Sequence, residues 1–250
     1  MKAGSEPWAV SLGPIIKIKN LQKSFDGIRA IDNLDLEITK NSITAIVGPN
    51  GAGKTTLFDV ITGFTESDAG EMRINNTIIT GRKPEEIVAL GLARTFQIPR
   101  LFKNLSIREN LLLAYNNSAD KLGDDEFEEK AKRVFEMIGV SIDLDKSADD
   151  LSYGQRRIVE IARCLMRNVE IILMDEPTAG LFQKARESIK QVIKKLKQAG
   201  KTIVIIEHDM EFVADACEHV IVMDEGKSIA KGKPNEVLKQ KKVLAAYIGE

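Results

Sequence analysis

The chain has 250 residues, of which 43% are hydrophobic and 29% are charged, and its formal net charge is −1. This length allows one large domain or two small ones, and the apolar content is sufficient for a buried core. The balanced charge excludes a globally basic field for binding nucleic acid, and no apolar run reaches the roughly 20 residues that a membrane span needs.

The first part of the chain predicts short strands separated by turns. Residues 1–14 are expected to form a loose leader. Strands are predicted over 15–20, 34–38, 42–47 and 71–74. Asn75 and Asn76 then indicate a tight turn. Short early strands of this kind favour a partly antiparallel sheet beside an α/β core.

The segment after the third strand has the pattern of a phosphate-binding loop, G-x-x-x-x-G-K-[ST]. Its residues are Gly48, Pro49, Asn50, Gly51, Ala52, Gly53, Lys54, Thr55 and Thr56. A strand precedes the loop and a helix over 56–63 is predicted after it, as the motif requires. Glycines let backbone N–H groups surround an anion, and the helix N-terminus adds partial positive charge. Lys54 is therefore expected at the β- and γ-phosphates of a nucleotide, and Thr55 at Mg²⁺.

The middle of the chain is predicted to be mainly helical. A short helix over 85–90 is followed by a strand over 94–96. Ser106 caps the next helix, and an amphipathic helix is predicted over 124–137. We therefore expect a helical subdomain over about 97–150, inserted into the α/β core.

The C-terminal part alternates helices and apolar strands. Helices are predicted over 156–167 and 184–199, with a short helix from Pro234. Strands are predicted over 171–174 and 202–206, with a terminal hairpin over 219–223 and 227–231. Four residues at helical spacing are expected to face the core: Ile158, Ile161, Ala162 and Leu165.

Several apolar strands end directly before polar residues. Because the carboxyl ends of parallel strands form one rim, where ligands bind in open α/β folds, these polar residues should lie near one another. They are Lys54, Thr55, Gln97, Asp175, Glu176 and His208.

Each residue of this rim has an expected role in phosphoryl chemistry. Asp175 follows four apolar residues and is expected to hold Mg²⁺, directly or through water. Glu176 is expected to polarise the water that attacks the γ-phosphate. Gln97 is expected to ligate the metal or to orient water. His208 is interpreted as functional because of its place on the rim, and His219 as structural.

A second motif, Leu151-Ser152-Tyr153-Gly154-Gln155, opens the helix before the apolar strand over 171–174. A serine hydroxyl, a glycine and a helix N-terminus make another anion site. One γ-phosphate does not need two such sites within a single chain.

These motifs resemble those of the ATP-binding subunit of ATP-binding-cassette (ABC) transporters, from about residue 15 to residue 250. Walker A corresponds to 48–56, the Q-loop to Gln97, the signature to 151–155, Walker B with its glutamate to 171–176, and the switch histidine to His208. The resemblance implies the ABC ATPase fold, a P-loop NTPase core with an antiparallel β subdomain and an inserted helical subdomain.

The resemblance also implies how the protein works. Two such subunits pair head to tail, and each ATP lies between Walker A of one chain and the signature of the other, where Ser152, Gly154 and Gln155 meet it. Phe25 resembles the aromatic residue that stacks on adenine. ATP and Mg²⁺ are the implied ligands, with Glu176, His208, Lys54 and Gln97 as the catalytic residues.

A narrower resemblance points to the ATPases of branched-chain amino acid importers. It is carried by residues 93–97, 100–102 and 246–250 and by Tyr153 in the signature. The same sequence features occur in the ATPases of urea and other amide uptake systems. One departure follows Leu181, where Phe182 and Gln183 replace the usual Asn or Asp and Pro. The absent Asn/Asp contact puts communication between two ATP sites in question, and Phe182 is expected to make an apolar dimer contact instead.

The implied partners are membrane-spanning permease subunits, a second ABC ATPase subunit and, indirectly, a substrate-binding protein, with no nucleic acid. The implied location is the cytoplasmic face of the cell membrane, where Cys164 and Cys217 would be reduced thiols. Two alternatives stay open. The first is the ATPase of a lipid or lipopolysaccharide exporter. The second is a non-transport ABC ATPase of DNA repair or the ribosome, although such chains usually carry a coiled-coil insertion or tandem cassettes.

Overall fold

The computed structural model describes residues 13–116 and 123–248. The strands are β1 (Pro14–Phe25), β2 (Ile28–Thr39), β3 (Ile43–Val47), β4 (Ala69–Ile74), β5 (Thr77–Ile78), β6 (Leu92–Thr95), β7 (Ile171–Asp175), β8 (Thr202–Ile206), β9 (His219–Asp224) and β10 (Lys227–Gly232). The helices are α1 (Lys54–Ile61), α2 (Pro84–Ala89), α3 (Ile107–Asn116), α4 (Asp124–Ile138), α5 (Tyr153–Leu165), α6 (Gln183–Gln198), α7 (Met210–Ala216), α8 (Pro234–Val237) and α9 (Lys241–Ile248).

The first sheet has four antiparallel strands in the order β2-β1-β4-β5. It confirms the antiparallel sheet that the early strands predict, but β1 and β2 are longer than expected. Their pairing continues past Asn20 and Asn33, which both have φ of 48°. These left-handed residues lie beside register shifts, which interrupt the alternation by which strands are recognised in sequence. Of the leader predicted over 1–14, only Gly13 and Pro14 are within the described residues, and Pro14 begins β1.

The second sheet has six strands in the order β10-β9-β3-β8-β7-β6. All are parallel except β10, which returns from β9 as the predicted hairpin. Every residue of β3, β7 and β8 is buried, since both faces of the sheet are covered. The carboxyl ends of β3, β8, β7 and β6 therefore lie side by side, as the rim requires.

Two buried clusters hold the layers together. The first cluster lies between the antiparallel sheet with α1 and one face of the six-stranded sheet. The second cluster lies between the opposite face of that sheet and the helices from α3 through α7. The four α5 residues expected in the core are all buried. Cys164 and Cys217 are free thiols, and burial raises the pKa of each to about 12.

Two boundaries and one short helix differ from the prediction for local reasons. Helix α5 begins at Tyr153 rather than at 156, because Ser152 caps it. Strand β6 ends at Thr95, and Phe96 lies beyond it because its backbone groups bond to side chains of α5. Helix α7 was not predicted, since its seven residues are too few to show a helical period, and Asp209 caps it.

No helix within the two described ranges is long and apolar enough to cross a membrane.

Candidate active site

The phosphate-binding loop connects β3 to α1, as the sequence predicts. Gly53 precedes α1 in a left-handed conformation, with φ of 93°, and no side chain caps the helix. A Cβ atom on Gly53 would lie 2.2 Å from the carbonyl oxygen of Ala30, and one on Gly48 would lie 2.0 Å from that of Met223. Only glycine therefore fits at these two positions, and the uncapped N–H groups of α1 suit an anionic ligand.

Lys54 is buried at the first position of α1. Its Nζ atom donates to the carbonyl oxygens of Gly48 and Pro49, at 2.7 Å each. Burial lowers the pKa of Lys54, while the charges of Glu176 and Asp175 oppose that change. The ammonium group is thus held inside the loop and within electrostatic reach of both rim carboxylates.

Two rim side chains contact the carboxylate of Glu176. Its Oε2 atom accepts a hydrogen bond from Gln97 at 2.8 Å, and its Oε1 atom lies 2.6 Å from Nε2 of His208. Glu176 has φ of 45°, a left-handed conformation that is unusual for a residue with a side chain. Its N–H donates to the carbonyl oxygen of Ile206 at 2.9 Å, which holds this turn against β8. Backbone strain of this kind concentrates at functional sites.

Asp175 ends β7 and is paired with Arg94 of β6. The guanidinium donates from Nη2 to Oδ2 of Asp175 at 3.1 Å and from Nη1 to Asp59 of α1 at 2.5 Å. The side chain of Arg94 is 5% exposed and that of Asp175 is 9% exposed. Burial raises the pKa of Asp175, and the hydrogen bond from Arg94 opposes that rise.

Arg94 belongs to the motif over 93–97, but that motif does not predict its pairing with Asp59 and Asp175. Its guanidinium also lies 5.6 Å from the ring centre of Phe58 and 5.1 Å from that of Phe96. The only indication in the sequence of such an ionic role is that a charged arginine lies within a short strand, next to a strand that is buried. This residue joins the strand before Gln97 to both α1 and β7.

The oxygen donors predicted to hold Mg²⁺ are Thr55, Gln97 and Asp175. A hydroxyl, an amide and a carboxylate are hard oxygen ligands, which Mg²⁺ prefers. No group of three or more His, Cys, Asp or Glu side chains is placed to hold a metal ion among the described residues. This set therefore fits an ion that takes one carboxylate from the protein and completes its shell with phosphate oxygens and water.

The signature residues form the first turn of α5. The hydroxyl of Ser152 accepts a hydrogen bond from the N–H of Gln155 at 3.3 Å, and the amide oxygen of Gln155 accepts one from the N–H of Ser152 at 2.9 Å. This reciprocal capping box fixes both side chains at the helix N-terminus. A Cβ atom on Gly154 would lie 3.2 Å from Cβ of Ala185. The glycine thus lets α5 approach α6 closely, a packing role in addition to the expected anion contact.

Phe25 ends β1, and its side chain is available to a ligand. The residue is 47% exposed, and Nζ of Lys23 lies 5.2 Å from the ring centre. His219 begins β9, so it lies at the edge of the sheet opposite the rim.

Phe182, the departure noted after the Walker B region, is 90% exposed. It occupies the position before α6, where no side chain caps the helix. Asn and Asp are favoured at such positions because their side chains accept a hydrogen bond from the helix. The substitution therefore leaves a helix uncapped and a large apolar ring on the surface.

Glu207, between β8 and His208, was not predicted as a site residue. Its carboxylate is buried and accepts hydrogen bonds from the N–H of Thr178 at 3.1 Å, its hydroxyl at 2.5 Å and the N–H of His208 at 3.1 Å. Burial raises the pKa of Glu207, against the effect of these bonds. The residue ties the turn after Glu176 to the histidine that contacts Glu176.

Tyr247 of α9 lies against the phosphate-binding loop. Burial raises the pKa of Tyr247 to about 12, and the backbone of Gly48 opposes that rise. The sequence motif over 246–250 thus reaches the nucleotide loop, although 249–250 lie outside the described residues.

Comparison with known proteins agrees with this geometry. Residues 31–179, more than half of the chain, match the family model described as ABC transporter. A probable branched-chain amino acid transport ATP-binding protein, LivG of Archaeoglobus fulgidus, is 35% identical over 94% of this chain and 95% of its own length. The high-affinity branched-chain amino acid transport ATP-binding protein BraF of Pseudomonas aeruginosa is 35% identical over 95% of this chain and 98% of its own length.

Solved structures agree over nearly the whole chain. An ATP-binding cassette of an ABC transporter in its ADP conformation has a TM-score of 0.86 and 36% identity, covering 95% of this chain and 99% of that one. A dimeric cassette in a post-hydrolysis state with ADP and Pi has a TM-score of 0.77 and 29% identity, covering 88% and 98%. The chain therefore belongs to the ABC transporter family, as an ATP-binding subunit that hydrolyses ATP.

Proposed function

We propose that this chain powers the uptake of branched-chain amino acids, or of related amides such as urea, through membrane-spanning permeases. The observation that carries the catalytic part of the proposal is the arrangement of Gln97 and His208 on either side of Glu176, at the rim beside Lys54. The cargo is assigned from relatives of matching length that are named for branched-chain amino acid transport.

Each rim residue has a role in hydrolysis, and Gln97 and His208 have two. Glu176 accepts a proton from the attacking water, and Gln97 and His208 keep its two oxygens oriented. Lys54 and His208 stabilise the charge that develops on the γ-phosphate. Asp175, Thr55 and Gln97 would hold Mg²⁺, which neutralises phosphate charge when it is bound. Phe25 stacks on the adenine ring through its exposed face.

The complete ATP site requires two chains. The loop over 48–56 binds the phosphates from one side, and Ser152, Gly154 and Gln155 of a second ABC subunit close the other. The first turn of α5 supports this assignment, because its capping box holds Ser152 and Gln155 at a helix N-terminus, which carries partial positive charge. A relative of similar fold is dimeric with ADP and Pi.

The permeases would dock on the helical region over about 97–150, which we propose as an inserted subdomain. Ile98 is 73% exposed and Phe102 is 56% exposed, directly after the loop that carries Gln97. Exposed apolar residues next to a catalytic loop suit a partner whose movement must reach that loop. In this proposal the chain lies on the cytoplasmic face of the membrane, and a substrate-binding protein acts through the permeases on the other side.

Reconstitution tests the cargo. The chain is purified with its membrane partners, placed in vesicles with the binding protein, and assayed for ATP hydrolysis with leucine, isoleucine, valine or urea. Stimulation by a branched-chain amino acid or urea is expected. Stimulation only by a lipid or lipopolysaccharide would instead identify an exporter, and hydrolysis that ignores every solute and needs no membrane partner would favour the non-transport alternative.

A further inference from the structure

The loop that carries Gln97 is held by side chains of the signature helix. The hydroxyl of Tyr153 donates to the carbonyl oxygen of Gln97 at 2.9 Å, and Nη2 of Arg157 donates to the same oxygen at 2.5 Å. The other terminal nitrogen of Arg157 donates to the carbonyl oxygen of Phe96. Oε1 of Glu160 accepts from the N–H groups of Phe96 at 3.5 Å and Arg100 at 3.1 Å.

Arg157 and Glu160 also pair with each other, at 2.8 Å, and both side chains are almost fully buried, at 0% and 1% exposed. A buried ion pair adds little stability relative to apolar side chains of the same size, because both charges must leave water. The presence of a buried ion pair is better explained when the pair holds the neighbouring chain in one conformation. Here the arrangement is the position of the backbone over 96–100, which forms no helix or strand.

We propose that Tyr153, Arg157 and Glu160 form a loop clamp that couples the signature of one site to Gln97 of the other. This inference rests on the proposed function, in which the first turn of α5 binds the partner's ATP. Tyr153 belongs to that turn, and Arg157 lies one turn further on the same helix face. When α5 moves to meet the partner's ATP, the loop clamp moves Gln97 with it.

Gln97 in turn sets the position of Glu176, to which it donates at 2.8 Å. Hydrolysis in one site therefore depends on ATP in the other through a continuous set of hydrogen bonds. This route passes through α5 and not through the turn at Phe182, where the Asn or Asp usual in the family is replaced. Tyr153, Arg157 and Glu160 are positioning residues, since they act on the reaction through Gln97.

The test is a set of double-mutant cycles on the full-length chain. Tyr153→Phe removes one hydroxyl and keeps the ring, and Arg157→Met with Glu160→Leu replaces the ion pair by apolar volume so that the fold is retained. Each change is expected to lower kcat for ATP by up to about 10²-fold, the cost of misplacing a reacting group by about 1 Å, with little change in ATP affinity. The Hill coefficient for ATP should fall toward unity.

The decisive comparison is with Gln97→Ala. If the loop clamp acts through Gln97, Tyr153→Phe has no further effect on kcat in the Gln97→Ala background, whereas independent structural effects would multiply. Arg156→Met is the matched control, because Arg156 is adjacent on α5 and bonds to the carbonyl oxygen of Asp149 at 2.9 Å instead. It should leave both kcat and the Hill coefficient unchanged.

The outcomes separate this inference from the proposed function. Multiplicative effects of Tyr153→Phe and Gln97→Ala, or an unchanged Hill coefficient, would overturn the loop clamp. Gly154→Asp, checked for folding by its thermal midpoint, tests the shared site itself. Full hydrolysis by Gly154→Asp would overturn the proposed function. If Gly154→Asp is inactive but the effects of Tyr153→Phe and Gln97→Ala multiply, only the loop clamp is overturned.

Discussion

Nε2 of His208 lies 2.6 Å from Oε1 of Glu176, and the amide of Gln97 holds the other oxygen of the same carboxylate. The glutamate that follows Walker B is thus oriented from both sides before any water is activated. An orientation of this kind is what general-base catalysis requires, because the accepting oxygen must lie within hydrogen-bond reach of the proton.

Glu176→Gln should therefore retain ATP binding and lose turnover. We expect kcat to fall by about 10²- to 10⁴-fold, the range that general acid–base catalysis contributes, with the dissociation constant for a fluorescent ATP analogue nearly unchanged. Glu225→Gln is the matched control, since Glu225 is an exposed glutamate with a similar φ of 43°. Unchanged steady-state hydrolysis by Glu176→Gln would remove this residue from the role.

Arg94→Met should destabilise the protein by about 3–5 kcal/mol, because it leaves the buried Asp175 carboxylate without its cation. Urea denaturation of wild type and variant measures the free energy of unfolding. Arg73→Met provides the comparison, since Arg73 pairs with Glu71 on the surface and such pairs contribute about 0–1 kcal/mol. Equal losses in the two variants would contradict the importance assigned to Arg94.

Phe182→Asn should stabilise the isolated chain and weaken the dimer. An asparagine before α6 provides the missing cap, worth about 1 kcal/mol in urea denaturation. The lost ring should raise the dimer dissociation constant by roughly tenfold or more, since burying a phenylalanine contributes about 1.5–3 kcal/mol.

Sedimentation of the Glu176→Gln protein with ATP measures this effect on the dimer. Ile78→Asn is the control, because Ile78 is 44% exposed on the short strand β5. A dimer that tolerates Phe182→Asn as well as Ile78→Asn would show that Phe182 makes no dimer contact.

Glu207 gives a pH dependence of stability whose sign follows from its burial. Folding raises its pKa above the ordinary value of 4.5, so the folded chain binds more protons than the unfolded chain between the two values. Its contribution to the free energy of unfolding therefore falls as pH rises from 4.5 through the raised pKa. Glu207→Gln removes this dependence.

The stability of wild type minus that of Glu207→Gln should accordingly decrease from pH 4.5 to neutral pH in urea denaturation. The other buried carboxylates with raised pKa, Glu160 and Asp175, are present in both proteins and cancel in the difference. A difference that stays constant or grows over this range would show that the pKa of Glu207 is not raised.

The rim of the parallel sheet was predictable because its residues are read from local pattern. Each polar residue directly follows an apolar strand, and parallel strands place their carboxyl ends together. Gln97, Glu176 and His208 meet in the structure as that rule requires. The antiparallel sheet, the terminal hairpin and the buried face of α5 were likewise predictable from period and turn signals.

The contacts that orient these residues were not predictable from spacing. Arg94 and Asp175 are far apart in sequence, as are Thr178 and Glu207, and only the packing of the strands brings each pair together. The early start of α5 depends on a capping box, and the end of β6 on side chains from that helix. Long-range pairing of this kind decides boundaries that local propensity leaves open.

The central claim is that each ATP lies between the phosphate loop of one chain and the signature of another, and a mixing measurement tests it most directly. Lys54→Ala and Gly154→Asp are each combined with Glu176→Gln, which prevents hydrolysis, and retention of labelled ATP is measured after rapid gel filtration. Neither protein alone has an intact shared site, whereas a mixed dimer has one. We predict that the mixture retains ATP and the separate proteins do not; retention by Gly154→Asp alone, or a mixture that retains no more than its components, would contradict the claim.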